Sequence, residues 1–265
     1  MGKFDGILLC SDFDLTMGVG GVVTSGNCEA IRYFQENGGL FTIISGRHPD
    51  FLKSHQNGFC VNAPLAGYNG ALIKHHQTGE VLYSGGRNDH RAFALYSRYW
   101  NEEKWGMRYI AAHDATTNSF KCHRDPAKAD FPTFEALEKA TGVPLYNLMG
   151  TTKTPEEAIA LRQSLERDAG PDFEVARSWS VGIEIICKED GKGAAARRMK
   201  DMLGAKLLVA VGDFENDLSM IRDADIGYAV ENAVPEVKAV ADRHTVHYEQ
   251  HAIAAIVAEL ERELA

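Results

Sequence analysis

Short apolar runs alternate with helix-like segments at both ends of the chain. Mainly apolar stretches of strand length occupy residues 6–11, 40–44, 207–211 and 226–230. Between them, residues 25–37 carry apolar side chains at helical spacing, and a second helical pattern begins at Lys192. Strands and helices that alternate in this way are typical of a parallel sheet with helices on both faces.

The middle of the chain has a different pattern. It predicts helices over residues 88–105 and 134–141 and from Thr154 to about Asp168. It also predicts strands at 107–112, 119–123, 143–149, 173–177 and 181–186, of which the last two form a closing pair. We therefore predict an α/β fold: a doubly wound parallel-sheet core of residues 1–84 and 188–265, interrupted by an inserted α/β domain of residues 85–187.

Composition and charge narrow the possible partners. The 265 residues are 45% hydrophobic and 25% charged, with a formal net charge of -9. This charge argues against a broad surface for nucleic acid or an anionic membrane. No apolar run approaches the length of a membrane span, and the first residues lack a signal-peptide pattern. Five cysteines without a C-x-x-C motif indicate reduced thiols, so we expect a cytoplasmic protein, either a monomer or a small homo-oligomer.

Acidic residues follow two of the predicted core strands. Residues 12–16 (DFDLT) come directly after the first strand, and residues 212–217 (GDFEND) come after the run at 207–211. Because parallel strands place their carboxyl ends at one edge of a sheet, these acids are expected to converge there. Mg²⁺ suits a site with few carboxylates and retained waters. The candidate metal ligands are Asp12, Asp14, Asp213, Asn216 and Asp217.

The same residues could transfer a phosphoryl group. Asp12 can act as a nucleophile on phosphorus, and Asp14 can protonate the leaving oxygen and then take a proton from water. A carboxylate repels a phosphate dianion, so a metal ion and Lys192 would have to offset the charge. The hydroxyls of Thr16 and Ser45, together with Lys192, are candidates for holding the phosphoryl oxygens.

Each residue also has an ordinary interpretation. Asp12 and Asp14 could be turn residues, Asn216 could cap a helix, and Lys192 could be a solvated lysine of a first helical turn. Their joint placement at strand ends favours a site. His244, His247 and His251 could hold zinc, although their spacing crosses a predicted strand-to-helix junction.

Four segments in order resemble the motifs of the haloacid dehalogenase superfamily of phosphotransferases. They are residues 12–16, 42–47 (TIISGR), 192–193 (KG) and 212–217. Residues 69–71 (NGA), 191–194 (GKGA) and 229–233 (AVENA) look like its Cof-type branch with a C2B α/β cap. The resemblance implies a Mg²⁺-dependent phosphatase in which Asp12 is the nucleophile and Asp14 the acid and base. It also implies that the metal is bound by Asp12, by the backbone carbonyl of Asp14 and by Asp213.

The predicted function is therefore hydrolysis of a small phosphorylated metabolite, a sugar phosphate by resemblance, through an aspartyl-phosphate. A sugar phosphomutase on the same scaffold and a non-catalytic phospho-ligand-binding regulator are the alternatives.

One residue departs from the Cof-type pattern: Leu15 stands where glycine is usual after the second aspartate. Glycine adopts backbone dihedrals that leucine avoids, so this position puts the local backbone shape in question.

Overall fold

A computed structural model describes residues 2–56, 58–86, 90–99, 105–112, 119–122, 136, 139 and 145–264. The chain forms two compact units. One contains Met1–Tyr83 and Lys192–Ala265, and the other contains Ser84–Gly191. We refer to them as the core unit and the inserted unit.

The described helices and strands follow one another in a regular order. The helices are α1 (Ser25–Glu36), α2 (Pro49–Ser54), α3 (His90–Tyr99), α4 (Pro155–Ala169), α5 (Lys192–Leu203), α6 (Leu218–Asp223), α7 (Pro235–Val240) and α8 (Ala252–Leu264). The strands are β1 (Ile7–Ser11), β2 (Gly18–Val19), β3 (Val22–Val23), β4 (Leu40–Ile43), β5 (Leu65–Gly67), β6 (Leu72–Lys74), β7 (Val81–Ser84), β8 (Trp105–Ala112), β9 (Ser119–Cys122), β10 (Leu145–Thr152), β11 (Phe173–Trp179), β12 (Gly182–Cys187), β13 (Leu207–Gly212), β14 (Ile226–Ala229) and β15 (Arg243–His244).

A five-stranded sheet of order β15-β14-β13-β1-β4 forms the centre of the core unit, and all its neighbouring strands are parallel. The chain leaves β1 toward β4 on one side and returns through β13 toward β15 on the other. Helices α1 and α8 pack together, and α5 packs on α6. The predicted doubly wound α/β core is confirmed, and β1 lies between the strands that carry the other motifs.

The inserted unit is built on an antiparallel sheet of order β11-β12-β10-β8-β9. Helix α4 packs against β10, β11 and β12, and α3 packs against α4. Among the described residues, every helix is too short or too polar to cross a membrane.

Several local predictions differ from the structure. Of the helix predicted over residues 88–105, the structure describes the part in α3, whereas Trp105 begins strand β8. The acidic segment predicted to open a helix at Asn216 first forms a 3₁₀ turn, and α6 begins at Leu218. Of the helix predicted over residues 134–141, only Ala136 and Lys139 are described, and both are helical. Two-residue strands such as β2 and β3 are too short for a periodic pattern, which is why the sequence did not predict them.

A buried asparagine joins three parts of the core unit. Asn27 lies in α1 and is fully buried. Its Nδ2 donates to the carbonyl of Met17 at 3.0 Å, and its Oδ1 accepts from the N–H groups of Ile253 at 3.0 Å and Ala254 at 3.3 Å. The first N–H groups of a helix have no partner within the helix, so Asn27 satisfies two donors of α8 and also fixes the loop after β1.

Replacing Asn27 with alanine should lower the free energy of unfolding by about 2 to 4 kcal/mol, because three buried polar groups lose their partners. Urea unfolding of the two proteins measures this difference. Glu29, exposed on the same helix, provides the control, since Glu29→Ala should change stability by less than about 0.5 kcal/mol. Equal losses for the two variants would show that the Asn27 hydrogen bonds do not stabilise the core.

Candidate active site

Three aspartates meet at the carboxyl edge of the core sheet. Asp12 follows β1 and Asp213 follows β13, and these two strands are paired in parallel. The N–H of Asp12 donates to the carbonyl of Val211 at 3.0 Å, which continues the sheet by one residue. One carboxylate oxygen from each of Asp12, Asp213 and Asp217 lies within 4.8 Å of the other two, and all three residues are buried.

Lys192 neutralises part of this acidic cluster. Its Nζ donates to Oδ1 of Asp12 at 2.5 Å and to Oδ1 of Asp217 at 2.6 Å, and its side chain is fully buried. Lys192 is the first residue of α5, so the start of that helix brings the ammonium to the sheet edge. Three carboxylates against one ammonium leave two negative charges in excess when all the groups are ionised.

The remaining contacts fix two of the three carboxylates. Oδ2 of Asp217 accepts from the backbone N–H groups of Asp213 at 2.9 Å and Phe214 at 3.2 Å. Oδ1 of Asp213 accepts from the hydroxyl of Thr16 at 2.9 Å. A Cβ atom on Gly212 would lie 2.5 Å from Cγ of Asp217. Glycine at this position therefore allows Asp217 to fold back beneath the loop.

Burial and mutual repulsion change the acidity of this cluster. Burial raises the pKa of Asp12 to about 7, with a further rise from the charge of Asp217 against the opposing effect of Lys192. Burial and the charges of Asp12 and Asp217 raise the pKa of Asp213 to about 8. Although burial lowers the pKa of Lys192, the two carboxylates raise it above its ordinary value overall. The positive charge near these carboxylates is therefore too small to keep the pKa values of Asp12 and Asp213 at their ordinary level.

The cluster has the composition of a site for a hard divalent cation. Oxygen ligands from a small number of carboxylates are what Mg²⁺ binds in proteins. Two excess negative charges match the charge of one such ion. The residues present therefore fit the predicted metal, and the described residues form no other group of three or more acidic, histidine or cysteine side chains that could hold one. His244, His247 and His251 are accordingly not brought together.

Asp14 lies outside this cluster and is paired with Arg47. Nε of Arg47 donates to Oδ2 of Asp14 at 2.5 Å, and Nη2 donates to Oδ1 at 2.9 Å. The guanidinium also lies over the ring of Phe51, at 4.4 Å from its centroid. The structure thus holds Asp14 in a bidentate ion pair on the half-exposed side of the loop.

Two further predicted residues are buried near the strand ends. Ser45 follows β4; its N–H donates to the carbonyl of Ala66 at 3.0 Å, and its Oγ accepts from the N–H of Arg47 at 3.3 Å. Asn216 precedes Asp217 in the 3₁₀ turn and donates from Nδ2 to Oδ1 of Asn69 at 3.0 Å. Because β4 pairs with β1, Ser45 and Asp12 follow neighbouring strands.

Leu15 adopts the backbone conformation for which glycine is favoured. Its φ is +61°, in the left-handed region, and its side chain is 41% exposed. The N–H of Leu15 donates to the carbonyl of Gly18 at 2.7 Å, and its carbonyl accepts from Nδ2 of Asn232 at 2.8 Å. The loop therefore keeps the shape that glycine would allow, at the cost of local strain in a leucine.

Arg47 and Asn69 contact predicted site residues, and Asn232 contacts Leu15 in the loop after β1, yet the sequence did not assign these three residues a role. All three lie within segments that carry the family resemblance. Their position within these segments is the feature of the sequence that could have indicated a role at the site. Which side chain each of them contacts depends on loop folding that a linear pattern does not encode.

Replacing Leu15 with asparagine should raise the free energy of unfolding by about 0.5 to 1 kcal/mol, because asparagine tolerates the left-handed region. Leu15→Val should instead lower it by about 1 kcal/mol or more, because branching at Cβ makes positive φ more costly. Urea unfolding measures both changes. The strain assigned to Leu15 is contradicted if the valine variant is as stable as the asparagine variant.

The acidic cluster should make the metal-free protein less stable at higher pH. Raised carboxyl pKa values mean that the folded state binds more protons than the unfolded state from about pH 4 to pH 8, so unfolding free energy falls as pH rises through this range. We expect a loss of roughly 1 to 3 kcal/mol between pH 5 and pH 8 that Asp213→Asn reduces. Asp201→Asn, at an exposed position of α5, should keep the wild-type slope. An unchanged slope in the Asp213 variant would contradict the assignment.

Known proteins resemble this chain in sequence over most of its length. Residues 9–257 match the sequence profile of the haloacid dehalogenase-like hydrolases. The chain is 34% identical over 263 residues to 5-amino-6-(5-phospho-D-ribitylamino)uracil phosphatase YitU of Bacillus subtilis, which covers 89% of this chain and 90% of YitU.

Solved structures share the fold. A haloacid dehalogenase-like hydrolase from B. subtilis superimposes with a TM-score of 0.79 at 22% identity, covering 96% of this chain and 99% of the other. The subclass IIB sugar phosphatase BT4131 superimposes with a TM-score of 0.69 at 21% identity, covering 97% and 99%. The predicted Cof-type resemblance is confirmed, and the chain belongs to the haloacid dehalogenase-like hydrolase family.

Proposed function

We propose that this protein is a Mg²⁺-dependent phosphatase that hydrolyses a small phosphomonoester through a phosphorylated Asp12. The protein is a phosphatase-type enzyme of its family. The metal, the covalent intermediate, the residue roles and the substrate class are the proposal.

The observation that carries the mechanism is the asymmetric environment of the Asp12 carboxylate. Lys192 binds its Oδ1, and Oδ2 accepts no hydrogen bond from the part of the chain that the structure describes. A nucleophilic oxygen has to be free of donors that would hold its lone pairs, while the rest of the group has to be fixed in place. Asp12 meets both requirements.

In the first step, Oδ2 of Asp12 attacks phosphorus and the bond between phosphorus and the ester oxygen breaks. Asp14 gives a proton to the departing oxygen, so the leaving group departs as a neutral alcohol. Arg47 donates to both carboxyl oxygens of Asp14 in this structure. The acid step therefore requires that Asp14 carry a proton and loosen this ion pair when substrate is bound.

In the second step, water attacks the phosphorus of the aspartyl-phosphate, and Asp14 accepts its proton. The bond between phosphorus and Oδ2 breaks, which releases inorganic phosphate and restores Asp12. Asp14 regains the proton that it lost in the first step, so the cycle returns the enzyme to its starting state.

The three buried acids divide their tasks according to their contacts. Both oxygens of Asp217 are bound by protein donors, so we assign it to holding Lys192 and the loop. Asp12 and Asp213, together with the backbone carbonyl of Asp14, would bind Mg²⁺, and Asn216 would support it. When bound, the ion would offset the negative charge of the acids and the phosphoryl group.

The phosphoryl oxygens would be held by Ser45 and Lys192. Thr16 was also expected to contact them, but its hydroxyl donates to Asp213 and the residue is fully buried. We therefore assign Thr16 to orienting Asp213.

A phosphate on a polyhydroxylated carbon chain is the proposed substrate class. The sequence resemblance implies a sugar phosphate. The relative YitU, at 34% identity, is named for a phosphate on a ribityl chain, which supports the same chemistry. A screen of phosphate release over sugar, polyol, nucleotide and amino-acid phosphates with Mg²⁺ tests the class; highest turnover of nucleotide or amino-acid phosphates would contradict it.

The sequence left two alternatives open, a phosphomutase and a binding regulator. A mutase would convert a hexose 1-phosphate into its 6-phosphate isomer, whereas a phosphatase would release inorganic phosphate. A regulator would bind sugar phosphates without turnover, but a pure binder has no need of both a nucleophile and an acid.

Replacing Asp12 with asparagine should reduce Mg²⁺-dependent hydrolysis of p-nitrophenyl phosphate by at least about 10³-fold, because an amide cannot form the covalent intermediate. Asp201→Asn on the surface of α5 should retain wild-type activity. Mass spectrometry after rapid acid quench should find one phosphoryl group on the Asp12 peptide of the wild type. Equal hydrolysis rates for wild type and Asp12→Asn would refute the mechanism.

A further inference from the structure

An unusual backbone segment lies between β5 and β6 of the core unit. Tyr68, Asn69 and Gly70 have φ angles of +51°, +57° and +109°, and Asn69 is fully buried. Consecutive residues in the left-handed region are costly for side chains other than glycine. Strain of this kind persists where the surrounding structure requires a particular placement of a group.

Asn69 connects two of the loops that form the site. Its N–H donates to the carbonyl of Ser45 at 2.9 Å. Its Oδ1 accepts from Nδ2 of Asn216 at 3.0 Å. One residue therefore joins the proposed phosphate-binding loop after β4 to the acidic loop after β13, through its backbone to the first and its side chain to the second.

The bond to Asn69 determines how the Asn216 carboxamide is presented. Asn216 is 7% exposed, and its neighbour Asp217 belongs to the acidic cluster. Nδ2 of Asn216 donates to Asn69. The other polar atom of the Asn216 carboxamide, Oδ1, accepts no hydrogen bond from the described residues. A carbonyl-type oxygen suits a cation or the water molecules around one, and it repels an anionic phosphoryl oxygen.

We propose that Asn69 is a positioning residue for the metal site, which acts by holding the Asn216 carboxamide with its oxygen available to the cation or its bound water. The inference rests on the proposed Mg²⁺ dependence. Groups that orient the immediate surroundings of a metal commonly change affinity by about 10- to 100-fold when removed. We expect an effect near the lower end, because Asn69 acts through a residue that itself supports the site.

Asn69→Gly separates the side chain from the backbone. Glycine adopts positive φ freely and keeps the N–H that donates to Ser45, so only the carboxamide is lost. The measurement is the rise in melting temperature caused by Mg²⁺ alone, without substrate, over a range of ion concentrations. We expect Asn69→Gly to need about tenfold more Mg²⁺ than wild type for a half-maximal rise.

A double-mutant cycle tests whether Asn69 acts through Asn216. Asn216→Ala should also raise the required Mg²⁺ concentration, and adding Asn69→Gly to it should have little further effect. Asn62→Ala is the matched control. Asn62 bonds the backbone of Phe41 and Gly39 elsewhere in the core unit, so its loss should lower the melting temperature and leave the Mg²⁺ requirement unchanged.

The possible outcomes are distinct. A wild-type Mg²⁺ requirement in Asn69→Gly, or full additivity with Asn216→Ala, would overturn the positioning role. No Mg²⁺-dependent rise in the wild type would overturn the proposed metal dependence itself. If Asn69→Gly does not fold, Asn69→Asp keeps both tolerance of positive φ and an accepting oxygen. It should stay within about twofold of wild type, and a tenfold increase would contradict the acceptor role.

Discussion

The contact of buried Lys192 with Asp12 and Asp217 is the interaction on which the site depends. An isolated buried lysine would lose its charge, and isolated buried carboxylates would take up protons. The two carboxylates keep the ammonium of Lys192 charged by raising its pKa, but one ammonium does not balance three acids. Burying charges without enough opposite charge nearby is costly. A folded protein is therefore expected to keep uncompensated acids in its interior where a bound ligand supplies the missing positive charge. The excess negative charge is the physical basis of the proposed dependence on a divalent cation.

The parallel sheet makes that contact possible. Placing β1 between β13 and β4 brings Asp12, Asp213 and Ser45 to one edge, although residues 12 and 213 are far apart in the chain. Lys192 then has to enter from the start of α5, and Gly212 has to leave room for Asp217. The site therefore requires a few local features in addition to the parallel sheet, such as glycine at position 212 and a helix that begins at Lys192.

The sequence predicted the parts of the site that depend on strand ends. Acids after two apolar runs were expected to meet because parallel strands align their carboxyl ends, and the structure brings Asp12 and Asp213 together. It did not predict the Arg47 pairing of Asp14 or the Asn69 contact of Asn216. Those bonds depend on loop conformations, including positive φ at Leu15 and Asn69, and a linear pattern gives residue types without their partners. Short strands such as β5 were missed for a related reason, since a few residues carry too little periodicity to separate strand from helix. The strand predicted at 107–112 was found, but it begins at Trp105, which the sequence had assigned to the preceding helix.

The central claim is that the buried acids hold one divalent cation between them. Crystals soaked in Mn²⁺, which also prefers oxygen ligands, allow the ion to be located by anomalous scattering. The account predicts one strong anomalous peak in contact with carboxylate oxygens of both Asp12 and Asp213. A Mn²⁺ peak elsewhere in the molecule, with none between these two side chains, would contradict it.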